Sequence, residues 1–86
     1  MTEDQQQARA RVYVLAKVAP GSLEEFARTV SHMQGVSRVS AVTGGFDAVI
    51  TVEDETTAKA LRTVLKGILG VKGVVETQTL VEVPLE

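Results

Sequence analysis

Two adjacent glycines followed at once by an aromatic ring and a carboxylate, in Val42-Thr43-Gly44-Gly45-Phe46-Asp47, are the residues of this chain best suited to hold a ligand. Gly-Gly between β-rich runs reads as a tight hairpin, because glycine takes φ > 0 at both central positions without steric penalty. It also leaves the backbone bare. Exposed amides beside Phe46 and Asp47 suit a small zwitterion, with N–H groups for its carboxylate and Asp47 for its ammonium. The competing reading is an ordinary hairpin with Phe46 in the core and Asp47 solvated.

Other chemistry is sparse. His32, the single imidazole, lies near the end of a predicted helix, where the dipole and solvent access favour histidine without any catalytic role. The run Glu53-Asp54-Glu55 reads as a helix N-terminal charge cluster, since it lacks the further spaced oxygen ligands of a calcium loop. No nucleophile and base stand paired. The sequence therefore calls for no catalytic residue, cofactor or metal. With no cysteine there is no disulfide framework, thiolate nucleophile or thiolate metal site.

Eighty-six residues make one small domain. Such a chain buries only roughly 60–65% of the surface its unfolded form exposes, so extra burial through self-association is expected. Nine Lys and Arg against eleven Asp and Glu leave a net charge of −2 with the basic residues scattered, which leaves no electrostatic footprint for direct nucleic-acid binding. Arg9 and Arg11 read as a solvated strand entry. No apolar run reaches membrane-span length, and the polar N-terminus has neither the basic start nor the apolar stretch of a signal peptide. The expectation is a soluble cytoplasmic protein with a disordered arm over residues 1–10 and a folded domain over 11–86.

The elements that must position the glycine motif follow from pattern. Residues 11–18 are β-branched and aromatic and are stopped by Pro20-Gly21. Ser22-Leu23-Glu24-Glu25 fits a capping box, and Leu23, Phe26, Ala27, Val30 and Met33 then recur at helical period up to Gly35. Residues 36–43 and 46–52 form two strands joined by the Gly44-Gly45 turn. Carboxylates and hydroxyls over 53–57 open a second helix, whose apolar stripe is Leu61, Val64, Leu65, Ile68 and Leu69, ending near Gly70. A last strand runs over 74–83 to Pro84.

The order is β-α-β-β-α-β, and its halves echo each other through Gly35-Val36 and Gly73-Val74. With right-handed crossovers this is an α+β, ferredoxin-like sandwich: a four-stranded antiparallel sheet in order 4-1-3-2 with both helices on one face. The other face should be polar in a monomer, yet Tyr13, Leu15 and Val49 point there, opposite Val12, Val14, Ala16 and Val18 of the first strand and Phe46, Ala48, Ile50 and Val52 of the third. A sheet-to-sheet homodimer follows from that apolar face.

The strand Val12-Tyr13-Val14-Leu15, the Gly35-Val36 step, the Val-Thr-Gly-x-aromatic-Asp hairpin with its Ala48-Val49-Ile50 strand, and the final run from Gly73 to Leu80 resemble the effector-binding (RAM) domain of the Lrp/AsnC bacterial and archaeal regulators. The resemblance spans residues 11–83. It implies face-to-face dimers of dimeric α/β-barrel type, assembled into higher-order rings such as octamers or decamers, with small amino acids bound between dimers. The ligand then lies against Thr43, Gly44, Gly45, Phe46 and Asp47, with Thr77 and Thr79 of the last strand as hydroxyl contributors. Gly45 stands where the motif often carries an acidic or polar residue. Those regulators carry a helix-turn-helix ahead of this domain, whereas only residues 1–10 precede the first strand here. The chain thus reads as a stand-alone domain, regulating transcription only by assembly with a DNA-binding relative.

Three other readings fit the same pattern. Dimeric ferredoxin-like domains also form small enzymes such as isomerases, monooxygenases and haem-degrading proteins, although this sequence supplies little for that chemistry. An ACT-type amino-acid-binding module shares the strand order but pairs by sheet edges. A pure assembly module would leave the hairpin unliganded.

Overall fold

The computed structural model describes residues 9–85. Strand β1 (Ala10–Val18) leads into helix α1 (Leu23–Ser31), followed by β2 (Val36–Ala41), β3 (Ala48–Asp54), α2 (Thr57–Lys66), a 3₁₀ turn (Ile68–Gly70) and β4 (Val74–Val81). The four strands form one antiparallel sheet in the order β2-β3-β1-β4, which is the expected ferredoxin-like topology. The expected disordered arm falls almost wholly on residues 1–8, outside the described residues, and β1 already begins at Ala10.

Strand alternation builds the core. Val12 pairs with Val52, Val14 with Ile50 and Ala16 with Ala48, so the two central strands present matched small and branched side chains to the helices. Phe26 and Val30 from α1, and Ala60, Val64 and Ile68 from α2 and its following turn, close over them. Leu65 and Leu69, expected within that stripe, are instead 67% and 40% exposed. The buried line along α2 runs through Ala60 and Val64, and the tightening of the chain into a 3₁₀ turn after Gly67 rotates Ile68 inward and Leu69 out.

The helix starts differ from each other. Thr56 is extended and its hydroxyl accepts from the Lys59 amide at 3.1 Å, as an N-cap should. Ser22 makes no such bond. Its backbone is helical rather than extended, its N–H donates to Ala19 O, and its side chain lies against Gly73, where a Cβ would come within 3.0 Å. The capping box is therefore absent, displaced by the close packing of the β1–α1 turn on the start of β4. At Gly35 and Gly73 the chain leaves the helix layer with φ of 94° and 96°, so the two halves do share one glycine-dependent re-entry into the sheet. Among the described residues no helix is long and apolar enough to cross a membrane.

Candidate functional site

The connection between β2 and β3 is wider than a two-residue hairpin. Strand β2 stops at Ala41 and β3 starts at Ala48, and the Val42 amide donating to the Asp47 carbonyl at 2.9 Å closes the loop around residues 43–46. Only Gly44 takes a positive φ, 115°, so the paired left-handed turn expected of Gly44-Gly45 does not form. Phe46 precedes β3 and is half-buried outside the core cluster rather than within it.

The reason for the early strand end is Asp47. Its amide donates to Ala16 O at 2.8 Å, and its Oδ2 accepts the Val18 amide at 3.0 Å. The carboxylate thus stands in for the backbone carbonyl that would otherwise continue the β3–β1 ladder, at the point where β1 shifts register between Lys17 and Val18. Asp47 is neither the solvated acid of an ordinary hairpin nor a wholly free anion. One oxygen holds β1; the other makes no hydrogen bond among the described residues.

That carboxylate borders a cleft of about 460 Å³ lined by Lys17, Val18, Pro20, Gly21, Leu23 and Val75 together with Ala19. A cation and an anion flank an apolar wall drawn from β1, the β1–α1 turn and the start of β4. Sequence reasoning found Asp47 but missed Lys17, Leu23 and Val75, because they meet only through tertiary structure. Thr77 and Thr79 lie elsewhere. They pair with Ala16 and Val14 on the helix side of β4, with β1 between them and the loop, about 10 Å or two strand spacings from β3. One chain brings Thr43, Gly44, Gly45, Phe46 and Asp47 together as a loop and leaves the two threonines apart from it.

The polar residues that follow the motif are engaged. Glu53 in β3 accepts from Arg11 Nε at 3.1 Å, Glu55 pairs with Lys59 at 2.7 Å, and Asp54 accepts the Glu55 amide. The hydrogen bond from the Lys59 ammonium holds the Glu55 carboxyl below its ordinary pKa. His32 Nδ1 lies 2.7 Å from Arg28 O at the end of α1, an exposed helix-end contact.

On the open face of the sheet, Leu15 pairs with Val49 and Gln78, and Tyr13 pairs with Thr51 and Leu80. Leu15, Val49 and Tyr13 are half-buried and Leu80 is exposed, so an apolar centre does sit on this face. Charge rims one end of it: the Arg11 guanidinium reaches Glu53 and Glu82, and the Tyr13 hydroxyl donates to Glu82. Donation to Glu82, with some desolvation, raises the Tyr13 phenol above its ordinary 10.0. Because the folded value is the higher one, this contribution is full below the unfolded pKa and lost as pH rises through the folded value. Tyr13 is the only tyrosine. Its phenolate absorbance should therefore titrate above 10.0, and Glu82→Gln should bring the midpoint down. A wild-type midpoint at the ordinary value would show that the hydrogen bond is not made in solution.

The sequence profile of the Lrp/AsnC ligand-binding domain matches residues 11–83. Among solved structures, TTHA0845 from Thermus thermophilus superposes with a TM-score of 0.83 at 25% identity, over 90% of this chain and 96% of that one. Escherichia coli AsnC gives a TM-score of 0.81 at 15% identity, covering 98% of this chain and 57% of AsnC. The transcriptional regulator NMB0573 from Neisseria meningitidis, solved as its L-Met complex, gives 0.80 at 17%, covering 99% of this chain and 56% of that one. No curated protein sequence matches significantly. With a profile match running from the first strand to beyond the last, the chain belongs to the Lrp/AsnC ligand-binding domain family.

Proposed function

We propose that this domain senses a small apolar amino acid at the β2–β3 loop, self-assembles through its open sheet face, and acts as a regulator rather than an enzyme in the cytoplasm. The observation that carries the reading is the cleft beside Asp47. One carboxylate oxygen is fixed by Val18 while the other stays available for an ammonium, Lys17 stands at the same cleft for a carboxylate, and Val18, Pro20, Leu23 and Val75 offer an apolar wall to a side chain. The L-Met complex of the structural neighbour NMB0573 supports the ligand class.

Thr43, Gly44, Gly45 and Phe46 precede Asp47 in the same loop and do not line the cleft of one chain; in this reading they approach the effector from the loop. Thr77 and Thr79 join it only from a second copy, so that the effector lies at a contact between dimers in a ring of eight or ten subunits. A DNA-binding Lrp/AsnC relative is the partner through which such assembly would reach transcription.

A thermal-shift screen of the twenty amino acids at millimolar concentration tests the reading, because a ligand at a hundred times its Kd adds about 2.7 kcal/mol to folding. Asp47→Asn keeps an oxygen for the Val18 amide but loses the charge, so it should fold with near wild-type stability and lose the response. Asp47→Ala should lose the response and also about 1–3 kcal/mol, the cost of an orphaned amide. If no amino acid shifts the wild type, sensing fails and a pure assembly role takes its place.

A further inference from the structure

A second cleft lies on the other side of the turn that separates it from Asp47. It has a volume of about 630 Å³ and opens between α1 and the segment that follows α2. Phe26, 1% exposed, is its floor, and half-buried Met33 and Val71 are its apolar walls. Its far wall is bare backbone. At Gly67 a Cβ would come within 2.9 Å of Met33 Sδ, so the missing side chain admits the thioether; at Gly70 a Cβ would meet nothing within 4 Å, so the missing side chain keeps the mouth open.

The rim carries charge that the fold does not use. Lys66 and Lys72 border the cleft on one side and Glu25 on the other. Among the described residues the ion pairs join Arg11 to Glu53 and Glu82 and Lys59 to Glu55, which leaves all three rim groups without one. Two cations against one carboxylate over an apolar floor favour a ligand with an apolar body and a single negative charge. We propose that this cleft binds small branched or aromatic monocarboxylates, independently of the amino-acid site. Apolar contact with Phe26, Met33 and Val71 supplies the attraction, the two lysines select a carboxylate, and Glu25 accepts from any hydroxyl on the ligand.

The cleft contains its own reporter. Met33 is one of two methionines, the other being Met1, so methyl-labelled protein gives two methionine methyl signals and one of them senses this wall. Titration with 4-methylpentanoate or 3-phenylpropanoate should move the Met33 methyl saturably and raise the melting midpoint. The corresponding amides should bind at least tenfold more weakly. Lys66→Glu and Lys72→Glu should each weaken carboxylate binding about tenfold, and Gly70→Leu, at a position with negative φ and open space, should fill the mouth and abolish it. Asp47→Asn should leave the titration unchanged, which separates this site from the loop site. Absence of a saturable shift in the wild type, equal binding of the amides, or full binding by a folded Gly70→Leu protein overturns the proposal.

Discussion

Under the proposed open-face assembly, Leu15→Asp should be monomeric by light scattering at micromolar concentration where the wild type is oligomeric, with the fold intact. Leu15 is at the centre of the open face, opposite Val49 and Gln78, and contributes nothing to the core on the other side of the sheet. In a twofold face-to-face contact each substitution occurs twice, so two carboxylates would be buried against apolar partners without a counter-charge. Truncation of buried charge pairs at interfaces costs about 2–5 kcal/mol, and two unpaired charges should weaken association by at least about a thousandfold. The isolated domain loses little, because in the monomer an aspartate at position 15 faces water. A Leu15→Asp protein that keeps the wild-type mass would move the interface away from this face, with the exposed Leu65 and Leu69 on the helix layer the next place to look.

Phe26→Ala has the largest expected effect on stability, about 3–5 kcal/mol by urea unfolding. Phe26 is the largest fully buried side chain in the core and links α1 to the sheet. Domains of this size hold only about 5–15 kcal/mol in total, so the variant should sit near the edge of folding. Leu65→Ala provides the contrast. At 67% exposure it should change stability by no more than about 0.5 kcal/mol, although each of the two residues belongs to the apolar stripe of its own helix. Similar losses for both would show that α2 packs in solution with a different face inward.

That contrast marks where pattern reading stops. Periodicity located both helices and all four strands, because β-branched alternation in β1 and β3 and the Gly35 and Gly73 exits are local signals. It misplaced Leu65 and Leu69 because a stripe says which residues share a helix face, not how far round that face the neighbouring strands reach. It placed a cap at Ser22 because the spacing of Ser22 and Glu25 is right, whereas the contact of Ser22 with Gly73, fifty-one residues on, decides the backbone there. The motif at 42–47 was visible from its glycines and its acid. Its geometry was not, because Asp47 bonds to Val18 across the sheet and shortens both strands of the hairpin to do so. Lys17, Leu23 and Val75 belong to three separated segments, and nothing in their own neighbourhoods shows that they share a cleft.

The position of β1 between β3 and β4 also sets the order of events during synthesis. β1 is made first, yet its second ladder partner is the last strand, and the pairing extends to the Glu82 amide on the Arg11 carbonyl. Until that strand has left the ribosome, β1 has an open edge and the face bearing Leu15 lacks Gln78 and Leu80. The open face is therefore finished only when β4 docks on β1, and nothing can pair with it as a complete surface before then.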